Sequence, residues 1–347
     1  MHKEYLSKIM TKQDLSIEEM KEMITLIMDG RVSDIMISAL LISLEMKGLS
    51  IDEIAAAVSV MRDKSEKVKV DQSIIIDTCG TGGDYVDTYN VSTAAAFMAA
   101  AAGAFVVKHG NRAVTSKCGS ADVLEELGAI IDINPGEVEE IIKKTNIGFL
   151  FAPSYHKAMK HVANVRKTLS IKTIFNILGP LTNPGNAKYQ VIGVYDPNLT
   201  EIICEVLKKL GSVHVLCVSG LEGLDEISVS GTTKISELKN DRISTYYIQP
   251  EDFGIARADI DAVKGGSAEN NADIIKNIFK GRLGPERDLL VLNAAAAIYI
   301  AQKADSLLQA ARIAEDIIDS GKALQKLKDF IGISKKIGKK GGAKHVS

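Results

Sequence analysis

Several features that would identify a function at once are missing from this 347-residue sequence. Its four cysteines form no Cys-x-x-Cys pair and stand beside no histidines at zinc-binding spacing, a usage that fits a reducing cytoplasm. The formal net charge of −2 weighs against a broad nucleic-acid-binding surface. The most apolar stretch, residues 94–107, is too short to span a membrane, and the polar start of the chain predicts no signal peptide. We therefore expect a cytoplasmic protein that binds neither nucleic acid nor membranes.

The composition that remains is that of an ordinary globular protein, with 46% hydrophobic and 25% charged residues. A chain of this length buries a large core without disulfides or metals, and it suggests two domains. Two capping boxes, Ser16 with Glu19 and Ser50 with Glu53, each begin an amphipathic helix. Residues 1–70 therefore predict a small helical domain.

From residue 71 onward, short β-branched runs alternate with helical patterns. The predicted strands are residues 73–77, 105–108, 147–151, 190–195 and 213–218. The predicted helices are residues 92–102, 156–167, 199–210, 270–279, 288–301 and 306–330, with a further helix capped near Asn134. This alternation predicts an α/β domain over residues 71–332, with a sheet flanked by helices. The lysine-rich residues 333–347 predict a disordered tail.

The run Gly80-Thr81-Gly82-Gly83-Asp84 follows the first predicted strand. Its glycines leave backbone N–H groups open to an anion. A tight turn without a ligand would explain this run equally well by itself.

Further polar groups stand at the start of the next helix and at the end of the second predicted strand. Asn90, Ser92 and Thr93 lie where a helix N-terminus favours phosphate, although N-capping alone would explain one of them. Lys108-His109-Gly110-Asn111-Arg112 lies at a strand carboxyl end, where open α/β sheets bind ligands. Two cations and an amide there suit a phosphorylated substrate, whereas His109 alone would be read as a structural histidine.

Two charged positions complete the candidates. Asp225 and Glu226 are adjacent carboxylates of the kind that are usually only solvated, but Mg²⁺ takes one or two carboxylates together with substrate phosphates. Arg166 ends a predicted basic helix, where it is either solvated or directed at a carboxylate substrate.

Together these segments resemble the anthranilate phosphoribosyltransferase family of tryptophan biosynthesis. The matching stretches are residues 80–84, 90–93, 108–112, 119–125, 173–184 and 223–226. The resemblance covers residues 1 to about 332, and residues 176–184 weigh against the pyrimidine nucleoside phosphorylases, which share the fold. It implies a helical domain with a contribution from about residues 165–184, an α/β domain with a mixed central sheet, and a homodimer.

The resemblance also implies the substrates, 5-phosphoribosyl 1-pyrophosphate and anthranilate, and the cofactor, Mg²⁺. The implied phosphoribosyl-pyrophosphate site consists of Gly80, Gly83, Asp84, Thr88, Asn90, Val91, Ser92, Thr93, Lys108, His109, Gly110, Asn111, Arg112, Ala113, Val114, Thr115, Ser116 and Ser120. The implied anthranilate contacts are Gly80, His109, Asn111 and Arg166. The implied magnesium ligands are Ser92, Asp225 and Glu226. No acid or base residue is assigned, because the aromatic amine is already neutral near pH 7.

This sequence departs from the family pattern at Cys118, Lys157 and Asn164, which affects only the expected details of the anthranilate channel. Two alternatives stay open at this point. One is a pyrimidine nucleoside phosphorylase of the same fold, and the other is a non-catalytic, nucleic-acid-binding relative.

Overall fold

The structure, a computed structural model, describes residues 2–82, 86–113 and 117–342. Its first part is helical, as predicted, with α1 (His2–Met10), α2 (Ile17–Met28), α3 (Asp34–Lys47) and α4 (Ile51–Lys64). Both capping boxes are confirmed. Ser16 and Glu19 exchange hydrogen bonds at the start of α2, and Ser50 and Glu53 do so at the start of α4. Each pair satisfies N–H groups that the first helical turn leaves without partners.

A seven-stranded sheet forms the centre of the α/β part. Its strands are β1 (Ile75–Gly80), β2 (Phe105–Gly110), β3 (Ile147–Phe151), β4 (Tyr189–Gly193), β5 (His214–Gly220), β6 (Thr233–Lys239) and β7 (Arg242–Ile248). They are ordered β3-β2-β1-β4-β5-β6-β7. The first five are parallel and the last two antiparallel, so the sheet is mixed, as expected. The order reverses between β1 and β4, and ligands bind outside the carboxyl ends of strands at such a point.

Further helices follow in the chain, and most of them flank the sheet. They are α5 (Val91–Ala101), α6 (Ser120–Glu126), α7 (Pro135–Thr145), α8 (Ala152–Tyr155), α9 (Lys160–Leu169), α10 (Ile174–Leu181), α11 (Leu199–Lys209), α12 (Ala268–Phe279), α13 (Pro285–Ile300), α14 (Leu307–Asp319) and α15 (Lys322–Gly342). One hydrophobic cluster joins β1–β3 to α5–α7 and α12–α15. A second joins α1–α4 to α9–α11 and the other side of β4 and β5. The N-terminal helices therefore pack on a later segment of the chain and on the sheet.

Several predicted limits were wrong by a few residues. Strand β1 starts two residues later than predicted and continues to Gly80, so the glycine run begins inside a strand. Strand β2 likewise continues to Gly110. The predicted helix 156–167 is a short 3₁₀ turn, Lys157–Met159, followed by α9.

The β6–β7 hairpin was missed. Its turn residues, Asn240 and Asp241, both have positive φ, at 52° and 60°. Asn and Asp are the non-glycine residues that most readily adopt this conformation, so the pair was a usable signal.

The C-terminal region differs from the prediction in two ways. The helix predicted over 306–330 is divided, because Gly321 adopts a left-handed φ of +73° between α14 and α15. The tail predicted as disordered from residue 333 continues α15 to Gly342 instead. Ser334 and Ile337 are buried, and the Ser334 hydroxyl accepts a hydrogen bond from the Ile130 N–H at 3.2 Å. Residues at helical spacing with Phe330 thus keep this segment packed despite its lysines, while residues 343–347 lie outside the described residues.

Among the described residues, no helix is long and apolar enough to cross a bilayer.

Candidate active site

A cavity of about 360 Å³ opens at the carboxyl edge of the parallel strands. Many predicted site residues line it: Gly80, Thr88, Asn90, Val91, Ser92, Thr93, Lys108, His109, Gly110, Asn111, Arg112, Ala113, Ser120, Arg166, Asp225 and Glu226. Gly83, Asp84, Val114, Thr115 and Ser116 lie outside the described residues. The fold therefore brings six separate stretches of the sequence to one place.

The carboxylate of Asp225 lies against the glycine run. The Gly82 N–H donates a hydrogen bond to Asp225 Oδ2 at 3.0 Å. On the neighbouring strand, a Cβ added to Gly193 would stand 1.6 Å from the Asp225 carbonyl oxygen. Glycine at that position lets the loop that carries Asp225 and Glu226 approach the end of β4 closely.

A second layer of contacts holds this acidic loop. The Asn293 side chain accepts from the Ile227 N–H at 2.9 Å and donates to the Ile227 carbonyl at 2.9 Å. Glu222 accepts hydrogen bonds from the Ser228 and Ser230 hydroxyls. Sequence reasoning missed Asn293, because it lies in α13, far along the chain from the residues it supports.

Lys108 is the buried cation of the cavity. It is 3% exposed, and its ammonium donates to the Thr78 carbonyl and to Ser92 Oγ, the latter at 3.3 Å. Burial lowers the pKa of Lys108, and the charge of Asp77 opposes that effect. The cation is therefore held beside the start of α5, where phosphate groups are also favoured.

Asn90 precedes α5 but does not cap it with its side chain. Its amide donates to the Cys118 carbonyl at 3.1 Å and accepts from Asn271 at 2.9 Å. The N-capping alternative is therefore wrong for Asn90, and its orientation is set by two distant segments. Cys118, the departure from the family pattern, lies in this contact, with its sulfur 3.3 Å from Asn90 Oδ1.

Arg112 is at the rim and is engaged by two carboxylates. It pairs with Glu125 and, at 3.2 Å, with Asp122. Asp122 also accepts from the Ala113 and Gly119 N–H groups at 2.9 and 2.8 Å. These bonds tie the ends of the loop after β2 to the start of α6.

A second cavity, of about 370 Å³, adjoins the first and has mainly apolar walls. His109, Asn111 and Phe175 line both cavities. Other residues that line the second cavity are Met61, His156, Lys157, Met159 and Lys160. Sequence reasoning missed this cavity, since its walls come from α4, from residues 152–163 and from α10.

Two buried histidines lie at the junction of the cavities, with ring centroids 5.1 Å apart. Burial lowers the pKa of His109 to about 3 and that of His156 to about 4. Both rings are therefore neutral near pH 7. The Nε2 atom of each is buried without a partner in the described part of the chain.

Arg166 lines the first cavity from α9. Its guanidinium lies 5.8 Å from the centre of the Phe175 ring, and burial lowers its pKa. This arrangement is suited to a planar, anionic ligand, because the guanidinium forks onto carboxylates and the ring stacks.

Comparison with known proteins agrees with this geometry. A family model described as "Glycosyl transferase family, helical bundle domain" matches residues 3–65, and one described as "Glycosyl transferase family, a/b domain" matches residues 72–324. A helical bundle, a mixed sheet and a polar cavity at its edge thus define a two-domain glycosyl transferase.

Individual relatives narrow this class further. Anthranilate phosphoribosyltransferase from Acetivibrio thermocellus is 50% identical over 95% of this chain and 96% of its own length. The Alkaliphilus metalliredigens protein of the same name is 50% identical over 97% and 99%. The chain belongs to the anthranilate phosphoribosyltransferase family.

Solved structures support the same assignment. The crystal structure of anthranilate phosphoribosyltransferase from Thermus thermophilus superposes with a TM-score of 0.90 at 38% identity, covering 95% of this chain and 99% of that one. The Saccharomyces cerevisiae enzyme in complex with PRPP and Mg superposes with a TM-score of 0.88 at 28% identity, covering 96% and 98%.

Proposed function

We propose that this chain transfers the phosphoribosyl group of 5-phosphoribosyl 1-pyrophosphate to the amine of anthranilate and releases pyrophosphate. Family membership supports the activity. The observation that supports it most strongly is a single cavity with five kinds of group in its lining. They are a buried lysine, a helix N-terminus, two carboxylates, a guanidinium and an aromatic ring beside that guanidinium. The nucleoside phosphorylase and nucleic-acid-binding alternatives have no such support from the relatives.

The phosphate side of the site is proposed to be the edge formed by Lys108, Asn90, Ser92 and Thr93. Backbone N–H groups at the start of α5 and the Lys108 ammonium would bind phosphate oxygens. Gly83, Asp84 and residues 114–116 keep their predicted role in this site.

The acceptor side is proposed to be the second cavity and its junction with the first. Arg166 would bind the carboxylate of anthranilate, and the neutral His109 and Asn111 would lie along its ring and amine. The apolar wall excludes water from the aromatic ring, which favours anthranilate over a more polar acceptor.

The residues present fit magnesium bound together with substrate. Within the described residues, no three His, Cys, Asp or Glu side chains form a cage for a metal. Mg²⁺ does not need one, since it is usually held by one or two carboxylates and substrate phosphates. Asp225 and Glu226, with the Ser92 hydroxyl, would supply the oxygen ligands. When bound, the ion would neutralise charge that develops on the leaving pyrophosphate.

The chain itself contributes position and charge. Lys108 and the α5 N-terminus would hold the diphosphate, and Arg166 would orient the amine toward the ribose carbon. The anthranilate amine is neutral near pH 7, so no side chain is needed to remove a proton before attack. The neutral His109 ring adds no positive charge next to the amine.

The experiment that tests this function follows the fluorescence of anthranilate. We expect it to decay after addition of phosphoribosyl pyrophosphate and Mg²⁺, and to stay constant when either is omitted. Constant fluorescence with both present, together with phosphorolysis of thymidine in phosphate buffer, would refute the proposal in favour of a nucleoside phosphorylase.

A homodimer is part of the proposal, and α3 supplies its support. Ile35, Ile42 and Met46 recur at helical spacing and are 85%, 37% and 79% exposed. Exposed apolar side chains on one helix face mark an association surface, and a second copy of the chain could cover it. Light scattering should give twice the mass of the chain, and Ile35→Lys with Met46→Lys should give a monomer. Leu283→Lys, at an exposed site elsewhere, is the control.

A cytoplasmic location stays a prediction.

A further inference from the structure

Strands β1 and β2 run side by side over only the first part of their length. Their register pairs Ile75 with Phe105 and Ile76 with Val106. Beyond these pairs, β1 continues beside β4 as far as Gly80, and β2 continues beside β3. The two strands therefore separate toward their carboxyl ends, at the edge of the sheet where the first cavity opens.

This separation removes partners that a continuous ladder would provide to backbone groups. The Asp77 side chain accepts a hydrogen bond from the His109 N–H at 3.1 Å. The Asn183 side chain donates to the Val107 carbonyl at 2.7 Å. Buried backbone groups are almost always paired, so these two side chains take the place of the missing strand neighbour.

Asp77 and Asn183 also bind each other, and together they are named the wedge. Asn183 Nδ2 donates to Asp77 Oδ2 at 2.7 Å, and Asn183 Oδ1 accepts from the Gly185 N–H at 2.7 Å. Asp77 is fully buried and Asn183 is 3% exposed. Both Asp77 oxygens accept hydrogen bonds from N–H donors. Burial raises the pKa of Asp77, while the charge of Lys108 and these hydrogen bonds oppose that effect.

The wedge binds the backbone on both sides of Lys108. It binds the carbonyl of Val107 and the N–H of His109, the residues on either side of Lys108. The Lys108 ammonium spans the same gap and donates to the Thr78 carbonyl on β1. The negative charge of Asp77 also favours the protonated form of Lys108, against the effect of burial on its pKa.

We propose that Asp77 and Asn183 are positioning residues that hold the ends of β1 and β2 apart and thereby fix Lys108 at the floor of the phosphate site. The inference rests on the proposed function, since Lys108 is the residue through which the wedge would act on the substrate. It also gives a role to Asn183, which lies in a stretch that the resemblance left without one.

The first test is Asp77→Asn, which keeps the side-chain volume. A second amide then faces Asn183, so the new side chain cannot serve both of its donors. The unpaired group would let the end of β2 and Lys108 shift. We therefore expect the dissociation constant of phosphoribosyl pyrophosphate, measured by titration calorimetry with Mg²⁺, to rise about tenfold or more. The KM for anthranilate should change less than about twofold, because the wedge contacts the acceptor side only through the backbone N–H of His109 and does not contact its ring. Unchanged phosphoribosyl-pyrophosphate binding, or equal weakening of both substrates, would overturn the inference.

Asn183→Ala is the second variant, for the case in which Asp77→Asn does not fold. It leaves Asp77 and its bond from His109 in place, and it removes the donor to Val107 and Asp77 together with the acceptor for the Gly185 N–H. We expect the same selective loss of phosphoribosyl-pyrophosphate binding, and the inference is overturned if this variant binds that substrate as the wild type does.

Gln190→Met is the matched control. Gln190 lies opposite Asp77 in the β1–β4 register, is fully buried, and donates to the Pro180 carbonyl at 3.0 Å. Its replacement removes a buried hydrogen bond from the same sheet without altering the β1–β2 gap. The Tm should fall while the substrate constants stay within about twofold. If this variant loses phosphoribosyl-pyrophosphate binding as Asp77→Asn does, general destabilisation explains both and the inference is wrong.

Failure of the proposed function would look different. In that case the wild-type protein would bind no phosphoribosyl pyrophosphate and transfer nothing to anthranilate, and the inference would fall with the function. If the wild type is active and the wedge variants retain its binding constant, only the inference is overturned.

Discussion

The two sides of the cleft are built in different ways. The phosphate side uses strand ends and a helix N-terminus, and its groups come from short, contiguous stretches such as residues 90–93 and 108–112. The acceptor side uses side chains from separate segments, including Met61, His156 and Phe175. Backbone N–H groups and a buried cation serve any phosphate, whereas an aromatic acid needs a wall shaped by packing. The comparison predicts that substitutions on one side weaken the binding of its own substrate and leave binding on the other side unchanged.

The largest effect is expected from Asp225→Asn combined with Glu226→Gln. Removing both carboxylates removes the proposed magnesium ligands, so turnover should fall by about 100- to 1,000-fold and respond weakly to added Mg²⁺. Steady-state rates over a magnesium series measure this. As a control, the exposed pair Glu251 and Asp252, which are adjacent in the chain and do not line the cavity, should leave the rates unaltered when changed in the same way. Wild-type turnover at low magnesium in the double variant would refute the assignment.

Arg166→Ala should weaken the binding of anthranilate without weakening that of phosphoribosyl pyrophosphate. Loss of a hydrogen-bonded charge pair is worth about 1.5–3 kcal/mol, which raises the KM for anthranilate about ten- to 100-fold. The KM for phosphoribosyl pyrophosphate should change little, and Lys167→Ala on the exposed face of the same helix should change neither. Equal changes in both KM values would mean that the two sides are not separate.

Asn293→Ala tests whether the acidic loop depends on its support from α13. The Ile227 N–H and carbonyl would lose their partner, so the loop should be held less firmly. We expect the Mn²⁺ dissociation constant, measured by electron paramagnetic resonance with phosphoribosyl pyrophosphate present, to rise about fivefold. Asn293→Asp keeps the acceptor for the N–H and should lie between wild type and alanine. Identical metal binding in all three proteins would show that Asn293 supports only the fold.

The last prediction concerns stability, with the smallest effect expected on activity, and it rests on the buried histidines. The folded-state pKa of His156, about 4, is below that of an unfolded histidine, so the unfolded chain binds the proton first as pH falls. Stability is therefore fully present above about pH 6.5 and is lost toward pH 4, by about 1.4 kcal/mol per pH unit for one histidine. Urea unfolding at several pH values should show a shallower loss in His156→Gln than in the wild type. Parallel curves for the two proteins would contradict this.

Local signals explain which elements were predicted well. The boxes at Ser16 and Ser50 and the cap at Asn134 are contacts between residues three positions apart, and all three are present. The strand over residues 147–151 was also predicted with its observed limits. Where packing sets the outcome, prediction failed: the lysines of the C-terminal segment obscured the buried positions of α15, and the Asn240-Asp241 turn of the β6–β7 hairpin was overlooked.

The sequence by itself determined the helical and α/β parts and the polar residues of the cavity, because these depend on local periodicity and on short motifs. The role of each of those residues stays a prediction until the variants are measured. Only the tertiary structure decided how the residues are held. Asp77 meets Asn183, and Asn293 meets Ile227, across long stretches of chain, and such contacts leave no spacing that a sequence reveals. The physical reason is that backbone groups left unpaired at a strand separation or in a loop require partners wherever the fold can bring them.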